Sequence, residues 1–476
     1  MRAPAVLVLG AALPVVSGCP SDPCTGAGCE EFYGAARLDV LLGAADRFAQ
    51  EVDPLLKSDG GLQGGRDLGA SWSSWTGAGV LLVGMPDVAT VRILLPTDLS
   101  APEPVVRDVV EDDPSSRFGT SAILADLFGD SDPELLVSAP RAPGVGNAVE
   151  AGRVYVFDLP EMPGFAGSLP SGDARLRILG VRAYDGSGAV LARCRDLDGD
   201  GWDDLAVASP WDDAGGAPLA GSVTVVLSTR LDAEGSVALD GLGPRLAASH
   251  SGAGAGSAVA CHADLTGDGV PDVAIGAPFA DDLEAGLEGA GAVYVVDGQD
   301  LGQGDLEEVS AWIVRGTTAE AYLGWSVATG DVDGDGRADL AAGAPGTERG
   351  RGSVEVHLAE GAADPVGFRG EATGDRFGSA VGIADLDGDG CDDLLVGAPR
   401  HNPTERESTF AAGRLYLWYG GTQLPGWTER NEAAKAHTRF GRSQAWLQTG
   451  GSFSLGDLDG DGCEDLALAQ NIEALW

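Results

Sequence analysis

One acidic stretch limits the possible folds of this chain more than any other. It reads Asp385-Leu386-Asp387-Gly388-Asp389-Gly390-Cys391-Asp392-Asp393 and runs directly into Leu394-Leu395-Val396-Gly397-Ala398-Pro399. Carboxylates at every second position can all point at one centre when the loop curls tightly, and Gly390 permits the positive φ that such a curl needs. Oxygen-only ligands, several of them charged, are what Ca²⁺ prefers. The spacing is that of the first half of an EF-hand loop, but a strand follows instead of a helix and no glutamate stands at position twelve, which excludes an EF-hand.

The acidic stretch is repeated along the chain, between 54 and 72 residues apart. Its copies begin at Asp126, Asp196, Asp264, Asp331, Asp385 and Asp457. Each copy enters a short apolar strand, and most of these strands end in a variant of Gly-Ala-Pro: Ser138-Ala139-Pro140, Ala208-Ser209-Pro210, Gly276-Ala277-Pro278 and Gly343-Ala344-Pro345. A repeat of this period and all-strand character predicts an all-β propeller or a similar array of small sheets.

The repeat resembles the FG-GAP repeat of the integrin α-chain head. The resemblance is carried by Gly-Ala-Pro after the acidic loop and by a Phe-Gly pair about seven residues before it: Phe118-Gly119, Leu323-Gly324, Phe377-Gly378 and Phe440-Gly441, with looser versions at Leu68-Gly69 and Gly256. It covers nearly everything from about residue 37 to the end. The resemblance implies a seven-bladed propeller with Ca²⁺ in the hairpin loops of one face.

The order of strands within each repeat is consistent with that architecture. After each Gly-Ala-Pro comes a glycine-opened strand with period-two alternation, such as residues 152–157, 291–296 and 413–418, and then an edge strand. We therefore expect seven blades of four strands, the first of which, residues 68–86, lacks an acidic loop and binds no ion. The last blade has too few residues left after Gln470. We expect residues 472–476 and the N-terminal strand at residues 38–42 to complete it and close the ring.

The N-terminus has the pattern of an exported protein. We divide the chain into a lipoprotein-type signal peptide at residues 1–18, a tether at 19–36 and the propeller at 37–476. Val16-Ser17-Gly18-Cys19 resembles the lipobox of bacterial lipoproteins, in which Cys19 would be acylated; the alternative is an ordinary signal peptide with Cys19 in a disulfide. Both place the protein outside the cytoplasm, at the cell envelope or surface or secreted. Six further cysteines suit an oxidising compartment, with Cys24 and Cys29 the natural local pair.

The expected metal ligands occupy positions 1, 3, 5 and 9 of each loop. Four loops carry aspartate at all of them: Asp196, Asp198, Asp200 and Asp204; Asp331, Asp333, Asp335 and Asp339; Asp385, Asp387, Asp389 and Asp393; and Asp457, Asp459, Asp461 and Asp465. A fifth loop, with Asp264, Thr266, Asp268 and Asp272, has a hydroxyl at position 3 and is expected to bind more weakly. The sixth, with Asp126, Asp130 and Glu134, departs from the pattern because Phe128 stands at position 3, so its occupancy is left open. The alternative for all six is an Asx-rich turn without metal.

Two cysteine pairs occupy equivalent places in neighbouring repeats, Cys194 with Cys261 and Cys391 with Cys463. A disulfide tolerates a Cα separation of up to about 7 Å. Because equivalent points on neighbouring blades are expected to be farther apart, we predict free thiols at both pairs. The alternative for Cys194 and Cys261 is a disulfide, since both lie just before the loops of adjacent blades on the innermost strands.

Composition and motifs favour binding over catalysis. The formal net charge of −43 argues against nucleic acid, whose binders need a basic face. The five histidines show no metal-ligand spacing, no G-x-S-x-G motif occurs, and calcium explains the paired carboxylates better than acid–base chemistry. The resemblance implies adhesion or recognition of an extracellular protein. The alternatives are a carbohydrate- or surface-polymer-binding module and, less favoured, a hydrolase. The sequence identifies neither the ligand, its binding residues nor the oligomeric state.

Overall fold

The computed structural model describes residues 6–9, 69–75, 78–95, 107–130, 132–159, 166–231, 234–359, 365–402, 411–421, 432–440, 448–456 and 464–469. These residues are almost entirely β-structure, and the expected all-β fold is confirmed. The helices in the described part are two four-residue α-helices, α1 (Leu306–Val309) and α2 (Thr347–Gly350), and several 3₁₀ turns. The residues expected to act as tether, closing strand and final strand (19–36, 38–42 and 472–476) lie outside the described ranges.

The described strands form seven sheets, numbered here in chain order. Sheet 1 contains β2 (Gly69–Trp75), β3 (Ala78–Met85), β4 (Thr90–Leu94) and β5 (Arg107–Val110). Sheet 2 contains β6 (Ala122–Ala125), β7 (Glu134–Ala139), β8 (Arg153–Phe157) and β10 (Leu176–Leu179). Sheet 3 contains β11 (Val190–Cys194), β12 (Asp204–Ser209), β13 (Ser222–Val226) and β15 (Arg245–Ala247). Sheet 4 contains β16 (Ala258–Ala263), β17 (Asp272–Ala277), β18 (Ala292–Val296) and β20 (Trp312–Arg315); sheet 5 contains β21 (Ser326–Gly330), β22 (Asp339–Ala344), β23 (Ser353–His357) and β24 (Val366–Arg369). Sheet 6 contains β25 (Ala380–Ala384), β26 (Asp393–Ala398), β27 (Arg414–Trp418) and β28 (Thr438–Phe440); sheet 7 contains β29 (Ser452–Gly456), β30 (Asp465–Ala469) and β1 (Val6–Leu9).

Each of sheets 1–6 is an antiparallel meander, and three of them carry an additional strand. Short parallel strands add to the outer edges of sheets 1, 2 and 3: β9 (Gly167–Pro170), β14 (Gly235–Ala238) and β19 (Gly304–Asp305). The expectation of four strands therefore holds for sheets 4, 5 and 6, whereas sheets 1–3 have five. In sheet 7, β1 lies parallel to β30.

The first strands of the sheets pack side by side around a common centre. In order, β2, β6, β11, β16, β21, β25 and β29 each contact the next, and β29 in turn contacts β2. Apolar clusters fill the space between successive sheets; one of them joins β7 and β8 of sheet 2 to β12 of sheet 3. The blade count of seven and the strand that closes the ring stay predictions.

The second strands of sheets 2 to 6 are fully buried, and glycine lets neighbouring backbones approach there. Strands β7, β12, β17, β22 and β26 are buried at every residue. A Cβ added to Gly343 of Gly-Ala-Pro would lie 2.2 Å from the carbonyl oxygen of Gly378, which belongs to the Phe-Gly pair of the next repeat. Gly378 has φ +83° and donates its N–H to the carbonyl of Gly397. The two motifs thus meet across the boundary between sheets, where a side chain would clash.

Candidate metal centres and the opposite face

Each described acidic loop joins the first strand of its sheet to the second, so all of them lie at the same end of the sheets. The loop is held by its own carboxylates. In sheet 3, Oδ1 of Asp196 accepts hydrogen bonds from the N–H groups of Gly199 at 2.6 Å and Asp200 at 2.9 Å, while Oδ2 accepts from Gly201 at 2.8 Å. The same three bonds recur around Asp264, Asp331 and Asp385. The aspartate at position 1 therefore organises the turn, and the glycines at positions 4 and 6 allow the backbone to curve around its carboxylate.

The carboxylate at position 9 connects the loop to the sheet through hydrogen bonds. In sheet 5, Oδ2 of Asp339 accepts from Val332 N–H at 2.9 Å, and Oδ1 accepts from Ala359 N–H, just beyond the third strand, at 2.9 Å. Burial raises the pKa of Asp339 to about 7 and that of the equivalent Asp204 to about 6. Neither carboxylate makes an ion pair with the described residues, and a bound cation would supply the positive charge.

Three loops bring three carboxylates together, with oxygens within 4.8 Å of one another. They are Asp196, Asp198 and Asp204; Asp331, Asp333 and Asp339; and Asp385, Asp387 and Asp389. In the last group burial, followed by the charges of Asp389 and Asp385, raises the pKa of Asp387 to about 6. The donor set is made of oxygen atoms alone, which fits a hard cation such as Ca²⁺. The remaining predicted ligands of these loops, Asp200, Asp335 and Asp393, lie in the same loops but outside the three groups.

The loop from Asp264 keeps the backbone geometry with fewer charges. Among the described residues it does not form a three-carboxylate group, because Thr266 stands at position 3, with Oγ1 3.5 Å from Oδ1 of Asp272. In the seventh sheet, Asp457, Asp459 and Asp461 lie outside the described residues; Asp465 opens β30, and its side chain is also outside them.

The loop from Asp126 contains a guanidinium that sequence reasoning missed. The Cζ atom of Arg175 lies 3.8 Å from the centroid of the Phe128 ring, and Nη1 lies 3.8 Å from Oε1 of Glu134. Burial raises the pKa of Glu134 to about 7, and Arg175 acts in the opposite direction. A cation from the protein thus sits beside the position-9 carboxylate. Phe128 was the only sequence signal, because Arg175 lies far along the chain at the start of β10.

Within the described residues, neighbouring loops are tied to each other in two places through position 8. Asp203 of sheet 3 accepts at Oδ2 from the N–H of Asp126 at 2.9 Å and donates its own N–H to the carbonyl of Asp126 at 2.8 Å. Asp392 of sheet 6 makes the same two bonds, both 2.8 Å long, with Asp331 of sheet 5. We call each of these reciprocal pairs a clasp.

The prediction of free thiols at Cys194 and Cys261 is wrong. The two residues form a disulfide between β11 and β16, with their Cα atoms 4.7 Å apart. The distance is short because first strands of adjacent sheets pack directly against each other, so equivalent points approach more closely there than elsewhere on the sheets. Cys391 carries a free thiol whose pKa is raised to about 11 by burial and by Asp389, whereas Cys463 lies outside the described residues.

The opposite end of the sheets presents exposed aromatic side chains. Phe279 follows β17, so it lies at the other end of that strand from the acidic loop. Its ring centroid is 5.7 Å from that of Tyr322 and 6.0 Å from that of Trp325. Phe279 is 44% exposed and Trp325 43%. We call these three residues the aromatic cluster; sequence reasoning did not single it out, although aromatic residues beside the Gly-Ala-Pro and Phe-Gly motifs were a usable signal.

Two equivalent positions on this face differ between sheets 3 and 6. In sheet 6, Nδ1 of buried His401 lies 2.9 Å from Oδ2 of Asp375. In sheet 3 the same positions carry two buried acids, Asp185 and Asp212. Burial, followed by the charge of Asp212, raises the pKa of Asp185 to about 7. We call Asp185 and Asp212 the acid pair.

The polar partners of the acid pair are divided unequally. Asp212 accepts from Ser222 Oγ at 2.5 Å and pairs with Arg245. Nη1 of Arg182 lies 4.0 Å from one oxygen of each acid, beyond hydrogen-bond distance. Asp212 is therefore compensated at Oδ2, while its buried Oδ1 makes no hydrogen bond among the described residues and Asp185 has only a distant cation there.

Comparison with known proteins agrees with the sequence motifs. The FG-GAP repeat model matches residues 118–157, 187–226, 256–296, 323–354 and 377–418. Integrin alpha-PS2 of Drosophila melanogaster is 36% identical over 152 residues, 31% of this chain and 10% of the relative. Integrin alpha-V of Gallus gallus is 32% identical over 155 residues, which is 32% of this chain and 14% of the relative. Human integrin alpha-IIb is 34% identical over 168 residues, which is 34% of this chain and 15% of the relative. The matched region is thus a small part of each relative.

A comparison of structures finds the WD40 domain of Toxoplasma gondii coronin, at a TM-score of 0.41 and 11% identity, covering 86% of this chain and 88% of the other. Within the described part of this chain, no helix is long and apolar enough to span a membrane. The chain thus contains five FG-GAP repeats, and about a third of it is similar in sequence to part of the integrin α chains.

Proposed function

We propose that this protein is an exported recognition module that binds another extracellular protein through the face carrying the aromatic cluster, and that it has no catalytic activity. The observation that carries the proposal is the separation of two surfaces: the acidic loops lie at one end of the sheets and the aromatic cluster at the other. Exposed aromatic rings supply large contact areas at low conformational cost. The similarity to integrin α chains supports a role in adhesion or recognition.

The proposed role of calcium is structural. Ions would be held by the loops beginning at Asp196, Asp331 and Asp385, by the weaker loop from Asp264, and by the loop from Asp457. The bound ions would supply the positive charge that crowded, buried carboxylates lack, and would stiffen the turns between first and second strands. In the loop from Asp126 we propose that the guanidinium of Arg175 supplies the positive charge in place of an ion. The chain would then bind five ions. Metal analysis of protein equilibrated with Ca²⁺ and gel-filtered would test the count, and two or fewer ions would contradict the assignment.

A carbohydrate is the alternative ligand, because exposed rings such as Trp325 and Phe279 can also stack on sugars. The two ligand classes are separated by probing the purified protein against cell-surface proteins and against a glycan array. Trp325→Ala should weaken the true interaction at least tenfold, which corresponds to about 1.4 kcal/mol. Trp202→Ala is the matched control, since Trp202 is 37% exposed at the acidic end. Equal binding by both variants would remove the aromatic cluster from the proposal.

We further propose that residues 1–18 are removed, that Cys19 carries lipid and that residues 19–36 tether a seven-bladed ring to the membrane. The cyclic contacts of the first strands support the ring. Because β1 lies within the proposed signal peptide, the mature chain would need another strand beside β30, and residues 38–42 remain our proposal for closure. Fractionation tests the anchor: Cys19→Ser should move the protein to the soluble fraction, and a soluble wild type without acyl mass would refute it.

A further inference from the structure

The outer edges of most sheets are covered by the chain itself, in a regular way. The connection between the third and fourth strands of one sheet reaches back and adds a parallel strand to the sheet before it. In this way β9 pairs with β5, β14 with β10, and β19 with β15. The outer strand of sheet 5 is likewise met by a parallel bridge from Arg369 to Glu432 of the following connection.

Sheet 4 departs from this pattern. Within the described part of the chain its outer strand, β20, pairs only with β18. The connection that would cover it is short. Between β23 and β24 there are eight residues, five of them outside the described ranges, against 18, 18 and 15 in the connections of sheets 2, 3 and 4.

A groove of about 710 Å³ opens where the fifth strand would lie. One wall is the edge of β20, including Trp312, Ile313 and Thr317, and the other is formed by His357 and Leu358 of sheet 5. The ring centroids of Trp312 and His357 lie 6.2 Å apart across the boundary between the sheets. The groove is thus a mixed apolar and polar slot beside an unpaired strand.

The backbone of β20 faces this groove at every second residue. Gly316 donates its N–H to the carbonyl of Gly291 at 2.9 Å, on the side of β18. In an antiparallel ladder successive residues point their N–H and C=O groups in opposite directions, so Ile313 and Arg315 direct theirs outwards. An outward row of donors and acceptors is a template for another strand.

We propose that the outer edge of β20 binds an extended peptide segment of another protein, which adds to sheet 4 as a fifth strand parallel to β20. The segments that fill this place elsewhere indicate its chemistry. Each opens with glycine, a small polar or acidic residue and an aliphatic residue: Gly167-Ser168-Leu169, Gly235-Ser236-Val237 and Gly304-Asp305-Leu306. The aliphatic residue packs inwards, and Leu306 is fully buried.

The arginine beside the groove is already paired with an acid, which favours a ligand of small and aliphatic residues over an acidic one. Arg315 pairs with Glu307, whereas Nε2 of His357, 3.4 Å from Oε2 of Glu355, makes no hydrogen bond within the described part of the chain. The site goes beyond the recognition proposed above, because it lies away from the aromatic cluster; it also borders Leu265 and Thr266 of the acidic loop of sheet 4.

The test uses the full chain and a synthetic peptide with the sequence of residues 232–240, which contains the strand that covers sheet 2. We expect saturable binding by fluorescence polarisation and at least a tenfold loss with Ile313→Pro, which removes an outward N–H at an edge position where proline is tolerated. Ile313→Ala keeps that N–H and truncates only the side chain in the groove wall, so it should lose less affinity than Ile313→Pro. The peptide with aspartate in place of its valine should also bind at least tenfold more weakly.

A second variant replaces residues 358–365 by the longer connection 227–244, which should cover the edge from within and abolish binding. This variant keeps the proposal testable if Ile313→Pro does not fold. Absence of saturable binding, or equal affinity in wild type and both edge variants, would overturn the proposal. Concentration-dependent dimers that Ile313→Pro abolishes, without peptide binding, would assign the edge to a second copy of this chain and also overturn it.

Discussion

Replacing Asp185 by asparagine should stabilise the protein, although the change removes a charged side chain. Asp185 is 6% exposed and faces Asp212, whose Oδ2 is already compensated by Arg245 and Ser222. Burial and this neighbouring charge raise the pKa of Asp185 from its ordinary value of 3.8 to about 7. Ionising it in the folded state is therefore unfavourable, and asparagine avoids that cost.

The expected effect follows from linkage between protonation and folding. The native state holds a proton on Asp185 that the unfolded chain releases above about pH 4, so this group lowers the stability of the wild type as pH rises from about 4 to 7. A shift from 3.8 to about 7 corresponds to an upper limit of about 4 kcal/mol. The asparagine amide is itself buried, which costs part of that gain. We therefore expect Asp185→Asn to gain about 1 to 3 kcal/mol at pH 8 and little at pH 4.

The matched control is the equivalent residue of sheet 6, where the sign should reverse. Asp375 is 3% exposed and accepts from His401 and from the N–H of Ala372 at 2.9 Å. Losing a buried charge-assisted hydrogen bond costs about 1.5 to 3 kcal/mol, so Asp375→Asn should destabilise. Urea unfolding followed by tryptophan fluorescence at pH 4 to 8, in saturating Ca²⁺, measures both variants. Equal shifts of the same sign at the two sites, or a gain for Asp185→Asn that does not grow with pH, would refute the reasoning.

Three other predictions concern the metal loops and the links between sheets. Excess Ca²⁺ should raise the melting temperature by several degrees over chelated protein, because a ligand that binds only the native state stabilises it; identical midpoints would remove metal from the account. Asp387→Ala should lower the bound-ion count by one, while Phe128→Asp combined with Arg175→Ala should raise it by one; direct metal analysis decides, and an unchanged count in either case would contradict the ligand assignment. Cys194→Ser with Cys261→Ser removes a cross-link of sequence separation 67, so chemical unfolding should show a loss of about 4 kcal/mol on the chain-entropy model, and a loss below 1 kcal/mol would show that the bond adds little.

The local parts of the fold could be predicted from the sequence, and the contacts between sheets could not. The turn around Asp385 is encoded within five residues, because its carboxylate bonds the N–H groups of the glycines that follow. Period-two alternation likewise located β8, expected at residues 152–157, to within a residue. By contrast, the 4.7 Å approach of Cys194 and Cys261 depends on how two first strands pack, and no local pattern records that distance.

The fifth strands and Arg175 were missed for the same reason. Segments such as β14 are too short to show a periodicity, and they are stabilised by an edge presented by another sheet. Arg175 reaches Phe128 only because β10 runs beside the acidic loop of its own sheet. Both features depend on residues far apart in sequence, and the pairing pattern emerges only from the assembled sheets.

The clasps have a consequence for how ions enter. Asp392 stands directly before Asp393, at the end of the loop in sheet 6, and fixes the backbone of Asp331, the first ligand position of the loop in sheet 5. An ion bound in one loop therefore restricts the backbone of the other loop in advance. The second ion then binds with a smaller loss of conformational entropy. By linkage this help is reciprocal, so these two sites should load with positive cooperativity. The loop in sheet 4 has proline at position 8 and forms no such clasp, so it should load independently of the loop before it.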